Sequence, residues 1–544
     1  GVKRTTEGTP QMMLAKKFIK SELKQRKEEG CDTQAIAERI QAALASDASE
    51  AEFESLYDEL VALPIADTFE YQEPSTLDEI QQLRGPGTRR YDLAWDEAAL
   101  YDKIYGAWLG RAAGCALGKP VEGWPKKRIN EYLSARDALP LDDYVPFDEK
   151  VLPDIHRPST RGNISFMDRD DDMDFPILGL LALERRGAKT TARGIANIWL
   201  ASMPFSLLYT AENAAYRNFV VGTWPPTSAT HRNPFREWIG AQIRADIFGY
   251  AAPGWPERAA ALAYQDASIS HTKNGIYGEM FVAAMIAAAF VLNDAEEIIL
   301  AGLAEIPSNC RLAQAIRDTL GWCREEADWE SVWEKVNAHY GHYHGVHTIN
   351  NAAVVVLGVY YGNHDYERGI VVSVLAGWDT DCNGATVGSI LGVKFGAKAL
   401  PEKWVGVLND RLISAVRGEG DNEISSLAQR TLAVAKQVSA DTDSAEAKGP
   451  PGNATGIWFL ESEWGDHRVD FAQGTVAVSG ENFADTYPIR ASNVDNGTLT
   501  FAYTIDKGGW DFVVDFDGFM NGDQLDGALY PGGIPAKGKR LALA

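Results

Sequence analysis

A chain of 544 residues is too long for one hydrophobic core and calls for two to four domains. Its 45% apolar and 24% charged residues are the proportions of a soluble globular protein. The net charge of −24 argues against a nucleic-acid partner, which needs clustered Lys and Arg, and no apolar run is long enough to span a membrane.

Residues 10–63 read as three polar helices. "QMMLAKKFIKSELKQRKEEG" ends at Gly30, "DTQAIAERIQAALASD" follows, and "SEAEFESLYDELVAL" starts at a capping Ser49. Their sparse apolar positions predict an appendage packed on something larger. "STLDEIQQLRGPGTRR" closes in a breaker cluster that sets a boundary near residues 85–92, so 1–92 is expected to be a helical extension. From 93 to 438 the chain is rich in helical, small-residue segments without a strand alternation, and an all-α domain is expected there. Within it "GAWLGRAAGCALGKP" sets Gly106, Gly110, Gly114 and Gly118 on one helical stripe that admits a close backbone neighbour, and "MFVAAMIAAAFVL" reads as a buried helix. Residues 439–456 are Pro/Gly-rich and polar, a linker. Residues 457–544 alternate in short strands between Gly, Asn and Asp turns, the pattern of a small antiparallel β-sandwich or barrel. Trp464 and Trp510 look exposed on that unit, which suits a carbohydrate-binding or a packing module. The chain is therefore mainly α, with a small β-domain at its end.

Cys31, Cys115, Cys310, Cys323 and Cys382 are scattered and form no CxxC pair, which favours neither a disulfide framework nor a thiolate zinc site. That leans towards a reducing, cytoplasmic compartment. The first residues, Gly1-Val2-Lys3, leave an export leader removed upstream an open alternative.

The chemistry concentrates in two acidic stretches. "DRDDDMDF" sets five acids in seven positions against an apolar helix. One helix cap needs one carboxylate; three in a row, Asp170, Asp171 and Asp172, repel one another unless a cation offsets them. Asp174 lies beyond that run and is expected to face solvent. Two hundred residues on, "GWDTDCNGATVGSILG" repeats the theme with Asp379 and Asp381 around Thr380. Alternate residues of an extended turn point the same way, and hard oxygen donors suit Mg²⁺, Mn²⁺ or Ca²⁺ better than zinc or copper. The four histidines of "HYGHYHGVHTINN" lack a third ligand motif and do not read as a zinc site.

Taken together, "KIYGAWLGRAAGCALGKPVEG", "DDDMDFPILGLLALERRG", "ASISHTKNGIYGEMFVAAM" and "GWDTDCNGATVGSILG" resemble the ADP-ribosylglycohydrolase family, in order, over roughly residues 98–405. The resemblance implies an all-α domain with two Mg²⁺ ions in a central cleft, Mn²⁺ or Ca²⁺ being possible substitutes. It puts Asp171 and Asp172 on the family's paired aspartates, Asp170 on a preceding threonine, and Asp379 and Asp381 on its second motif. Met173 and Cys382 stand where threonines are expected; Thr386 supplies that hydroxyl if residues 382–385 are a short insertion. These departures point to a divergent bacterial branch whose substrate the resemblance does not give. Glu122 falls on a glutamate of a mobile loop, with Gly118 and Gly123 as its hinge.

The family position implies His271, Tyr277 and Glu279 at the cleft rim. His347, Asn350, Asn351 and Asn383 are candidate donors to substrate, or equally helix-capping groups, and Arg111 is placed to pair with a carboxylate. The expected activity is a metal-dependent hydrolysis of a glycosidic bond at an anomeric carbon, foremost of an ADP-ribose-type group. Glu122, Asp171 and Asp379 are the expected catalytic residues, with Asp170, Asp172, Asp381 and Thr386 completing the metal set. The alternatives are a hydrolase of another glycoside, such as a nucleoside or a small sugar conjugate, and a non-catalytic ligand-binding homologue. The partner expected is a small-molecule glycoside or an ADP-ribosyl conjugate, with neither nucleic acid nor membrane; the oligomeric state is left open.

Overall fold

A computed structural model describes residues 12–46, 48–440, 456–479, 484–495, 498–507, 510–530 and 533–541. The three expected N-terminal helices are α1 (Met12–Glu28), α2 (Gln34–Ala45) and α3 (Glu50–Val61), the last begun by Ser49, whose hydroxyl accepts the Glu52 N–H. Phe53, Leu56, Tyr57 and Leu60 of α3 close a small core with Ile36 and Ile40. The appendage is held to the main body by charge as well as by apolar contact. Arg236 forks between Glu22 of α1 and Glu29 just past its end, both at 2.9 Å and all buried, beside an edge-on contact of Phe18 with Phe235. That accounts for its sparse apolar positions. Next comes α4 (Leu77–Gln82), after which Arg84 and Arg89 both reach Glu305, tying the breaker stretch down.

The main helical body starts with α5 (Glu97–Gly118), α6 (Lys126–Ser134) and α7 (Asp171–Arg186). It continues through α8 (Ala192–Ser202), α9 (Thr210–Val220), α10 (Asp246–Tyr250), α11 (Pro256–Ala267) and α12 (Asn274–Ala289). Then follow α13 (Ala295–Leu303), α14 (Arg311–Glu325), α15 (Trp329–Tyr340), α16 (Thr348–Tyr361), α17 (Tyr366–Leu375), α18 (Thr380–Phe395), α19 (Glu402–Val405) and α20 (Ile424–Ala440). The apolar run expected to be buried is α12, every residue of which is covered.

The glycine stripe decides how this body is built. A Cβ added at Gly110 or Gly114 would lie 2.2 Å from Gly388 O or 1.9 Å from Gly384 O, and Cβ atoms on Gly384, Gly388 and Gly392 would strike Gly114, Gly110 and Gly106 in return. Helices α5 and α18 therefore run antiparallel with their backbones in contact, stripe against stripe. No side chain larger than hydrogen fits between them.

The helical body is not free of strands. Between α19 and α20, β1 (Arg411–Ile413) and β2 (Asp421–Glu423) form an antiparallel ribbon. At three residues each they are too short to show an alternation, and the body remains helical around them.

The expected linker, from 441 to 455, lies outside the described residues. Beyond it stand β3 (Ile457–Ser462), β4 (Asp466–Asp470), β5 (Thr475–Ser479), β6 (Ala484–Asp495), β7 (Thr498–Lys507), β8 (Trp510–Asn521), β9 (Gln524–Tyr530) and β10 (Ile534–Leu541). Each pairs antiparallel with the next, and β10 returns to β3, so the unit is a closed up-and-down barrel. Trp458, Leu460, Phe501, Tyr503, Val514 and Phe516 fill its interior. Trp464 packs partly buried against that core, a correction to its expected exposure; the side chain of Trp510 lies outside what is described.

The outward residues of β8 alternate with Val514 and Phe516 and meet the helical body. Arg186 reaches Asp517 at 2.9 Å, Arg193 reaches Asp515 at 2.5 Å, and Arg185 donates to the Tyr530 hydroxyl. All five cysteines are buried and unbridged, and among the described residues no helix is long and apolar enough to cross a membrane.

Candidate active site

The contact between α5 and α18 places the C-terminal end of the first beside the N-terminal end of the second. Thr380 Oγ1 donates to Gly118 O at 2.8 Å, closing the seam. Just before α18 the chain turns sharply through Gly377 at φ +80° and Trp378 at φ +64°. The segment after α5 is laced to that turn, with Gly123 N–H bonded to Trp378 O and Trp378 N–H to Trp124 O. Gly118 is helical at φ −80° and is glycine because Thr380 O would lie 2.1 Å from its Cβ. Only Gly123, at φ +71° with open space around it, has the freedom expected of a hinge.

Three groups of metal-type donors follow, each with its ligand atoms within 4.8 Å of one another: Glu122 with Asp379 and Asp381, Asp172 with Asp381 and Cys382, and Asp170 with Asp172 and Cys115. Shared members chain them into one centre between α5, α7 and α18. Asp171, in the first turn of α7, belongs to none of these groups among the described residues. Asp170 is the N-cap of α7, its Oδ1 accepting Asp172 N–H at 3.0 Å. Asp379 occupies the equivalent place on α18 but makes no side-chain cap bond, which leaves its carboxylate to the centre.

Asp172 is fixed from below. The wholly buried Arg111 donates from Nε to Asp172 O and from Nη2 to its Oδ1, at 2.9 and 3.1 Å, and from Nη1 to Asp246 at 2.8 Å. Lys119 Nζ lies 3.2 Å from Asp168 and 3.4 Å from Asp170. Arg111, Cys115 and Lys119 recur every four residues beside the glycine stripe. This row of reactive side chains on an apolar helix is the signal by which the sequence could have revealed Cys115 and Lys119.

The electrostatics bear on the donor set. Burial, then the neighbouring acids, push the carboxyls of Asp171 and Asp381 well above the usual range. Asp172 is raised well above it too, burial outweighing its Arg111 partner. Burial raises Asp379 to about 6. Glu122 keeps solvent contact at the rim, yet the protein around its carboxyl, then Asp379 and Asp170, push it up to about 7. Asp381 Oδ1, Asn383 Oδ1 and Thr386 Oγ1 are buried without a hydrogen-bond partner among the described residues. Crowded carboxylates and orphaned oxygens together fit divalent cations bound by hard donors.

Other expected residues serve elsewhere. Asn351 Oδ1 accepts from Asp379 N–H at 3.3 Å and from Asn383 Nδ2 at 2.8 Å, so these asparagines brace the start of α18. Helix α18 runs unbroken from Thr380 to Phe395, which sets Cys382 in its first turn and Thr386 one turn on. His347 caps α16 by accepting Ile349 N–H, and its ring stacks on Tyr343. His271 bonds Ser270, Tyr277 donates to Pro74 O, and Glu279 lies 3.8 Å from Arg244 among buried acids. All three are buried. Asp174 does not face solvent; it is buried, paired with Arg169 at 2.7 Å and accepting Ala415 N–H at 2.8 Å. The first turn of α7 lies under the 411–416 segment, which the sequence pattern could not show.

Comparison with known proteins matches residues 96–441 to the family model for ADP-ribosylglycohydrolase. An uncharacterized protein of Archaeoglobus fulgidus is 25% identical over 325 residues, 57% of this chain and 92% of its own. A solved structure described as an ADP-ribosylglycohydrolase-related protein complex aligns at a TM-score of 0.43 and 18% identity, over 63% of this chain and 99% of that one. The family match takes in more than half of the sequence, including both acidic stretches, and the chain belongs to the ADP-ribosylglycohydrolase family.

Proposed function

We propose that this protein is a metal-dependent hydrolase that cleaves a glycosidic bond at an anomeric carbon, foremost of an ADP-ribose-type group. The observation that carries the reading is the meeting of Glu122, which reaches solvent, with Asp379 and Asp381, which do not. A substrate entering from the rim meets a proton-transfer group and an anionic centre side by side.

Asp170, Asp172, Asp379 and Asp381 would hold two divalent cations, with Asp171 and Thr386 completing the set that the family resemblance implies. Mg²⁺ suits the oxygen donors, with Mn²⁺ or Ca²⁺ as substitutes. Bound there, such ions would fix neighbouring sugar hydroxyls and polarise a water. The protein's own share is positional. Arg111 of α5 locks Asp172, Asn351 locks the start of α18, and the glycine seam holds α5 against α18. Glu122, on the 122–125 segment, gives or takes the proton at the glycosidic oxygen or the water.

A nucleoside or small sugar conjugate is the second reading. It is supported by Met173 and Cys382 standing where the family's threonines are expected, and by the added β-domain. The test is turnover by the full chain of ADP-ribosylated peptides, nucleosides and plain glycosides, with and without chelator. Cleavage of an ADP-ribosyl bond that stops on chelation supports the first reading. Cleavage of nucleosides alone supports the second, and cleavage indifferent to chelator sinks both.

A further inference from the structure

Two thiols lie inside the acidic centre. Cys382 Sγ stands 3.2 Å from Asp172 Oδ2, in one group with a carboxylate oxygen of Asp381, and Cys115 Sγ is grouped with Asp170 and Asp172 on the other side. Both sulfurs are buried. Asp381 is buried as well, and its Oδ1 has no hydrogen-bond partner among the described residues. Here an unsatisfied carboxylate lies in one buried group with a second carboxylate and a thiol.

The spacing suits coordination. Oxygen at about 2.1 Å and sulfur at about 2.3 Å from one ion, on adjacent corners of an octahedron or tetrahedron, lie about 3.1–3.6 Å apart. The Cys382–Asp172 separation falls in that interval. A thiol hydrogen bond to Asp172 would have a similar length, so the distance admits ligation without requiring it. The donor sets differ across the centre: Glu122, Asp379 and Asp381 offer oxygen only, whereas Asp172, Asp381 and Cys382 offer oxygen and sulfur. Mg²⁺ binds sulfur poorly; Fe²⁺, Co²⁺ and Zn²⁺ accept it.

We infer that Cys382 is a thiolate ligand, and that the position between Asp172, Asp381 and Cys382 takes Fe²⁺, Co²⁺ or Zn²⁺ in preference to Mg²⁺. This rests on the metal-dependent reading above and makes the Cys382 position unlike the oxygen-only position of Glu122, Asp379 and Asp381. The step balances simply: the Cys382 S–H bond breaks, the proton leaves to solvent, and the sulfur lone pair binds the ion, with no change of oxidation state.

The experiment is a Co²⁺ titration of the chelator-stripped full chain, followed by absorption. A near-ultraviolet sulfur-to-cobalt charge-transfer band should grow to saturation beside the visible ligand-field bands. Cys382→Ser should lose the first and keep the second, Cys115→Ser should keep both, and Cys382→Thr should shift the Co²⁺-over-Mg²⁺ preference towards Mg²⁺ by about tenfold. Thermal melts establish that the variants are folded, and the wild-type spectrum together with Mg²⁺ competition needs no variant. Ligand-field bands without the charge-transfer band, or a band that survives Cys382→Ser, overturn the inference and leave the metal-dependent reading standing. Absence of any Co²⁺ binding overturns both.

Discussion

Asp379 and Arg111 show how single residues divide the labour. Asp379 is buried, caps nothing with its side chain, and is held up to about 6 mainly by burial. Asp379→Asn therefore removes charge without removing a packed group. The apo protein should melt no lower than wild type, while divalent-cation stabilisation and turnover are lost; calorimetry with and without Mn²⁺ checks both. Arg111→Met should instead cost about 3–5 kcal/mol of stability in denaturant titration, because it strands two buried carboxylates, Asp172 and Asp246. For Glu122→Gln, kcat should fall by about 10²–10⁴-fold, because the amide keeps the shape but loses the proton. The acids were legible in the sequence because repeated like charge at a helix start is physically costly and stands out. The surroundings of Tyr277 and Glu279 were not, because α12 is covered on every side, and periodicity cannot tell which neighbour each face of such a helix meets.

At the scale of elements, the α5–α18 seam connects packing to chemistry. Gly114→Ala would drive a methyl group into Gly384 O, and α18 can yield only by shifting Asp379 and Asp381. This variant should lose about 1–3 kcal/mol of stability and cation affinity with it. Gly123→Ala meets open space and should cost about 1–2 kcal/mol of backbone strain with affinity unchanged. Denaturant titration and calorimetry on the same samples separate the two effects. The stripe on α5 was readable because glycine every four residues has few other uses; its partner stripe needed the structure, since nothing in the sequence says which helix answers it. The choice of barrel over sandwich was likewise unreadable. Strand alternation is the same in both, and only the return of β10 to β3 decides it.

For the whole molecule, the helical appendage and the barrel are both attached to the helical body through ion pairs, buried for Arg236 with Glu22 and Glu29 and partly buried for Arg186 with Asp517. Such contacts leave hydratable groups when broken, so a chain ending at residue 440 should remain soluble, folded and able to bind cations. Insoluble truncated protein would show that the barrel covers core surface instead. His347, beside α1 and facing Glu28 and Glu237, is held by burial at about 3. Its folded value lies below the unfolded 6.5, so the unfolded chain takes up the proton first, and this group's contribution to stability falls as pH drops from about 6.5 towards 3. Glu28 opposes part of that slope, burial having raised it to about 7. The denaturation curve of His347→Asn, which keeps a capping side chain, should therefore be flatter than wild type across this window.

The most direct test of the account is a crystal structure grown with Mn²⁺ and measured at the manganese edge. Anomalous peaks are predicted among Asp170, Asp172, Asp379 and Asp381, as a pair about 3.5–4 Å apart with Glu122 at the rim. Carboxylates that stay in place at saturating Mn²⁺, contacting only water and Lys119, would contradict it.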